Sequence, residues 1–400
     1  MAYALLDAVA AGLLSNVPVM AVKALNASDA QLQVPIAMTS IGLFASVFMG
    51  VLMAFRRKMP FVIIPGVASG FAALLMGTMN SSTTFLIAYG FISIFDFSFR
   101  PAVPSILRIV YPDNCRSGVA GTLRQYASIV FPAASLSGAA LLSVSGAHIQ
   151  WVMRMELLAA GLASLAAFAC FSRLPDAGDG NVEETIPSRP SGAELLKQTL
   201  IGAALPLRDS RFRRFLAIYF LYCSGNLFYM GTVAPYFARS LGYGYLKATL
   251  FIHIVPAVAA FIAAGRLTAW FDRTSIWIAY SAVMLLWGLD PVLLAAGALW
   301  WPLLLAARIS RGPGTVGGMV LTVYTGVHRF APPGPYTSCY TSALYFVNAI
   351  ARLASPIAAA LLSSRLSHPQ ILLMGGSAVL LASALFLHTE YRERASVPHP

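Results

Sequence analysis

Apolar segments of about 20 to 28 residues recur from one end of this 400-residue chain to the other. A helix rises about 1.5 Å per residue, so each segment crosses roughly 30 Å of hydrocarbon while making its backbone hydrogen bonds internally. A membrane β-barrel would instead show shorter, alternating segments. With 58% hydrophobic residues, 10% charged residues and a mean hydropathy of +0.73, a soluble domain is excluded. The chain is therefore expected to be an all-α integral membrane protein.

The hydropathy pattern predicts twelve spans, at residues 1–22, 33–55, 60–80, 83–107, 117–144, 150–173, 213–240, 245–270, 274–297, 300–328, 337–364 and 369–389. The apolar start is too long for a signal-peptide core and lacks a basic leader, so it is read as the first span. Residues 174–212 change composition: PDAGDGNVEETIPSRPSGAELLKQ is polar and acidic, and ALPLRDSRFRRF is basic. This stretch reads as a cytoplasmic linker between a bundle over 1–173 and a second over 213–390, followed by a tail at 391–400. Of the 27 basic residues, seventeen fall in the connections after even-numbered spans, the linker and the tail or at the span ends that adjoin them, against five in or adjoining the connections after odd-numbered spans. The positive-inside rule then places both termini in the cytoplasm, with the chain in the cell's inner (plasma) membrane.

The formal charge of +12 is thus mostly topological, and its basic residues form no single patch for nucleic acid. Cys115, Cys170, Cys223 and Cys339 are scattered without CxxC spacing, which supports neither a disulfide framework nor a metal site. No phosphate-binding loop, nucleophile elbow or HExxH occurs, so the chain reads as a monomer without catalytic residues, metal or cofactor.

The two halves echo each other. Gly50-Val-Leu52-Met-Ala54-Phe55-Arg-Arg57-Lys58 parallels Gly265-Arg-Leu267-Thr-Ala269-Trp270-Phe-Asp272-Arg273 at a shift of 215. Lys23-Ala-Leu25-Asn26 parallels Arg239-Ser-Leu241-Gly242 at a shift of 216. Near-equal shifts at two landmarks indicate a duplicated six-helix unit.

In these features the chain resembles the major facilitator superfamily of secondary transporters. The loop after Gly50 is similar to the family's G-x-x-x-D-R-x-x-R element without its acidic member, whereas the second copy keeps Asp272-Arg273. Tyr111-Pro112-Asp113-Asn114-Cys115-Arg116 resembles a Y-P-x-x-x-R element, and Arg308-Ile-Ser-Arg311-Gly312 resembles an R-x-x-x-G element, here on span 10. The resemblance implies two pseudo-symmetric six-helix bundles, and a cavity lined by spans 1, 2, 4, 5, 7, 8, 10 and 11. It also implies gating roles for Gly50, Arg57, Arg116, Gly265, Asp272 and Arg273. The Gly-Pro signature of many drug antiporters is absent from span 5, which reads SIVFPAASLSGAA.

Ionisable residues inside the spans are the candidates for function, because a charge in hydrocarbon is costly unless something repays it. Arg308 and Arg311 sit three apart on one face of span 10, followed by Gly312, Pro313, Gly314, Gly317 and Gly318, which allow bending and close approach. The pair is either buried against a carboxylate or carbonyls of another helix, or it binds a ligand. Arg352, one turn after Asn348 on span 11, would complete a three-guanidinium cluster suited to an oxyanion. Asn226 and Tyr229 on span 7 offer neutral hydrogen bonds to a ligand or to neighbouring helices, and Arg124 on span 5 either contacts substrate or snorkels to the interface.

Asp96 and Arg100, four apart on span 4, form a structural ion pair, or Asp96 carries a proton when substrate competes for Arg100. Asp7 on span 1 and His253 on span 8 are weaker candidates of the same kind, and Asn16 on span 1 offers neutral hydrogen bonds like those of Asn226 and Tyr229. Asp290, on the peripheral span 9, is expected to make a helix–helix contact. Five intramembrane arginines against three membrane acids, Asp7, Asp96 and Asp290, favour a small organic anion as substrate, with protons as the coupling ion. Efflux of amphipathic drugs and a non-transporting receptor or assembly role are the alternatives.

Overall fold

The computed structural model describes residues 1–52, 59–99, 106, 113–174, 208–319, 330 and 337–396, with side chains left aside at 47–52, 99, 113–125, 265, 268, 269, 272, 319, 337–339, 341, 342 and 396. Every regular element among the described residues is helical. Helices α1 (Ala2–Ala24), α2 (Asp29–Leu52), α3 (Pro60–Met76), α4 (Ser82–Phe99), α5 (Asp113–Val144) and α6 (Ile149–Phe171) precede the linker region. After it come α7 (Ser210–Ser240), α8 (245–273), α9 (Ile276–Ala296), α10 (Trp301–Met319), α11 (Thr337–Leu362) and α12 (His368–Ser396). Among the described residues, eight of these stretches are long and apolar enough to cross a membrane, while Pro60–Met76 and Ser82–Ser98 are shorter.

Local breaks have identifiable causes. Helix α1 is interrupted at Ser15–Asn16, because Pro18 at the start of the second piece has no amide to donate to the turn before it. Helix α8 carries a π turn over Leu250–Ile254 just before Pro256. Helix α7 starts at Ser210, inside the expected linker, because the Asp209 carboxylate caps it by accepting from the amides of Arg211 and Phe212. Helix α12 runs past the expected end of its span to Ser396, supported by an Arg394–Glu390 pair one turn apart.

The chain divides into two compact units, one of residues 1–201 with 244–249, the other of residues 202–243 with 250–400. Within the first, α1 packs on α5 and α6, α4 on α2 and α3, and α3 on α6. Within the second, α7 packs on α11 and α12, α10 on α8 and α9, and α9 on α12. The pairing list of one unit becomes that of the other when six is added to each helix number. The turns repeat as well. Asn26 and Gly242 both take positive φ, at 50° and 65°, and in each case the next amide donates to a carbonyl six residues back, Ala27 to Ala21 and Tyr243 to Phe237. These are the positions matched by the shift of 216, so the repeat is an architectural one: two pseudo-symmetric six-helix bundles.

Polar side chains join helices where hydrocarbon packing alone gives no preference. Ser281 on α9 and Ser383 on α12 each donate to the other's carbonyl, at 2.9 and 2.7 Å. At one end of the second unit Phe212, Phe215, Trp277, Tyr280 and Phe386 interleave, and Arg211 lies over Trp277 while holding Glu393.

Candidate functional site: an arginine pair on α10

Arg308 and Arg311 occupy one face of α10, and the structure sends them to different partners. Arg308 is 3% exposed and turned towards α9, where its guanidinium forms an ion pair with the Asp290 carboxylate, itself 1% exposed. Arg311 reaches across to α7. One of its terminal nitrogens donates to Tyr229 Oη at 2.6 Å and to Asn226 Oδ1 at 3.0 Å, while the second Asp290 oxygen stands 4.0 Å away. One carboxylate thus serves two guanidinium groups, and most of its attraction goes to Arg308.

The glycines after Arg311 create the roof over it. A Cβ at Gly314 would lie 2.8 Å from the Trp287 ring, and one at Gly318 2.9 Å from it, so only glycine lets this α9 indole lie flat on α10. From there the ring covers Arg311, with the guanidinium carbon 5.0 Å from its centroid, and stacks on Tyr222 of α7 at 4.8 Å. Gly312 brings α10 against α8, since a Cβ there would sit 2.6 Å from the Ala260 amide nitrogen. Arg311 keeps 17% of its side chain accessible, against 4% for Arg308. The arrangement can bind a group that accepts hydrogen bonds and carries negative charge.

Arg352 is half-buried on α11 and donates through Nε to Asn348 Oδ1 at 3.2 Å, one turn before it. It acts electrostatically on Tyr222 of α7, as does Arg311. Of the expected three-arginine cluster, Arg308 and Arg311 share the Asp290 carboxylate, and Arg352 bonds along its own helix to Asn348. Asp290 makes the helix–helix contact expected of it, from α9 to α10.

The remaining candidates lie elsewhere. Asp7 on α1, Asp96 on α4 and His253 in the π turn of α8 are half-buried, and Asp96 acts electrostatically on Tyr89 of its own helix. Arg57 and Arg100 fall outside the described residues, as does most of the expected linker. Gly50, Arg116, Arg124, Gly265 and Asp272 are placed only as backbone positions on α2, α5, α5, α8 and α8, and Arg273 is exposed at the end of α8.

The tally of three membrane acids needs correction. Glu156 on α6 is a fourth, 6% exposed and bonded by Asn16. Arg154, two residues earlier, makes this stretch read as the charged lip of a span. Helical geometry separates the two, since Arg154 turns outward to Asn80. Trp287 was also missed, for want of any signal separating a roof over an arginine from an ordinary membrane tryptophan.

The family model for the Major Facilitator Superfamily matches residues 1–356. No curated protein matches the chain. Among solved structures, the nucleoside transporter NupG is similar at a TM-score of 0.66 and 13% identity, over 97% of this chain and 98% of that one. A POT family transporter in complex with 5-aminolevulinic acid gives 0.69 and 14%, over 98% and 96%. The xylose transporter XylE from E. coli gives 0.64 and 12%, over 96% of both chains. With the matched residues running from α1 into α11, and with two bundles built on one pairing plan, the chain belongs to the major facilitator superfamily of membrane transporters.

Proposed function

We propose that this transporter moves a small organic anion by alternating access, with Arg311 as the principal contact for the substrate's oxyanion. The observation that carries the reading is the division of Asp290 between two arginines. Arg308 takes the carboxylate, and Arg311 is left on the neutral oxygens of Tyr229 and Asn226 with part of its side chain accessible. A carboxylate or phosphate oxygen replacing those neutral acceptors would add the attraction of opposite charges and could take both arms of the planar guanidinium fork. Arg352 with Asn348 supplies a second contact.

In this reading Asp7, Asp96 and His253 carry protons, with Arg100 as the partner of Asp96. Gly50, Arg57, Arg116, Gly265, Asp272 and Arg273 serve the cytoplasmic gate, and both termini are cytoplasmic. The test is uptake into proteoliposomes from a panel of anions, cations and neutral solutes, with and without a pH gradient. Anion uptake that falls on Arg311→Gln and Arg352→Gln is the expected result. Uptake restricted to cations and unaffected by both substitutions overturns it.

A further inference from the structure

We propose that Glu156 is a proton-binding site, held as the neutral acid in this conformation where α1, α5, α6 and the first turn of α8 meet.

Its surroundings are built for an acid without charge. The carboxyl is buried; Oε1 accepts from Asn16 Nδ2 at 2.8 Å, and Oε2 is buried with no hydrogen-bond partner. Asn16 has nothing more to give, since Nδ2 also donates to the Ser135 carbonyl at 3.0 Å and Oδ1 accepts from the Thr249 hydroxyl at 2.9 Å. Space for the carboxyl exists because residue 138 on α5 is glycine: a Cβ there would run into Glu156 Oε1 and stand 2.9 Å from Asn16 Nδ2. An ionised carboxylate with one neutral donor in hydrocarbon is far more costly than the protonated acid, so a proton resides there. Asp290 is more deeply buried and also has an oxygen without a hydrogen bond, yet two guanidiniums face it and offset a negative charge there, as no described cation does at Glu156.

Neighbouring titratable groups do not supply a counter-charge. On α6 itself Arg154 turns to Asn80. On α1, Tyr3 packs on Phe168 and Phe171, Lys23 lies over the Tyr245 ring, and Asp7 stands nine residues before Asn16, about 13 Å along the helix. Helix α3 holds no titratable residue. On α5, Arg124 is eleven residues before Ser135, about 16 Å along the helix, with Asp113, Cys115 and Arg116 farther still, and Tyr126 is exposed. From the first turn of α8, Tyr245 and Lys247 approach, Lys247 being exposed. Among the described residues no cation pairs with Glu156.

The site also sits where backbone hydrogen bonding is already interrupted. Asn16 is at the break in α1, and Thr249 immediately precedes the π turn of α8. Gain or loss of the proton changes what Asn16 must satisfy, and both breaks can move without losing a complete ladder of bonds.

Infrared difference spectroscopy on the full chain in liposomes, titrated with pH in H2O and D2O, tests this without any transported substrate, so its outcome is independent of the anion reading. The expected result is a protonated-carboxyl stretch that fades as pH rises, is lost in Glu156→Gln, and persists in Asp290→Asn. Glu156→Asp should retain the band at a shifted frequency, which decides the matter if Glu156→Gln does not fold. Native spectra without a titrating carboxyl band, or a band unchanged in both Glu156 variants, overturn the proposal.

Discussion

Replacing Asp290 by leucine should destabilise the transporter more than replacing Arg308, although both changes remove the same ion pair. Breaking a buried pair costs about 3 to 5 kcal/mol, because the surviving charge stays behind without compensation. Where each variant falls in that range follows from what is left. Without Asp290, two guanidiniums remain on one helix face, and Arg308 is the more deeply buried, with a buried Nε that already lacks a partner and the Phe237 ring 5.9 Å away. That variant belongs at about 5 kcal/mol. Without Arg308, the carboxylate still has Arg311 4.0 Å away, close enough to move in, so the cost is about 3 kcal/mol. Replacing both by leucine removes the desolvation cost with the attraction and should restore the native midpoint to within about 1 kcal/mol. The assay is unfolding of the detergent-solubilised chain by a denaturing detergent, followed by tryptophan fluorescence. Single effects that simply add in the double variant would show that the two side chains do not interact, and the account of α9–α10 packing would be wrong.

Three further outcomes are expected. Arg311→Lys keeps the charge but loses the planar fork, so the apparent affinity for a transported anion should fall about 10-fold or more, corresponding to a lost contact of about 1.5 to 3 kcal/mol, as read from the concentration dependence of uptake. Gly314→Val should lift the Trp287 ring off Arg311 and expose it, shifting its emission to longer wavelength in a variant where Trp287 is the sole tryptophan; an unshifted spectrum would mean the ring does not lie on α10. Glu393→Gln should alter the unfolding midpoint by less than about 1 kcal/mol, since the Arg211–Glu393 pair is 51% and 30% exposed and a glutamine oxygen can still accept from the Trp277 indole.

Much of the fold was legible because membrane burial acts on segments. A run of 20 apolar residues needs no partner to declare itself a helix, and among the described residues each predicted span overlaps a helical stretch, eight stretches being long and apolar enough to cross a membrane. The repeat could be read for a different reason. Asn26 and Gly242 match in the sequence because each must take a left-handed conformation at the end of a helix, a demand that few residues meet. The site was legible in part. Arg308 and Arg311 stood out as costly charges at a spacing that shares a face, but spacing is indifferent to which of the two turns to α9 and which to α7. Glu156 was lost because Arg154 beside it looks like its partner along the chain, whereas on a helix residues two apart point in different directions.

Composition and periodicity, then, settle the class of this protein, its helices and their repetition, because each of these depends on local free energies summed along the chain, while its membership among membrane transporters rests on its likeness to a family. The division of Asp290 between Arg308 and Arg311, the tryptophan over Arg311, and the solitary Glu156 depend on groups 18 to 140 residues apart in sequence being brought within a few ångströms. Electrostatic and hydrogen-bond energies fall off steeply with distance and direction, so the partner each charge takes is decided by how the helices pack.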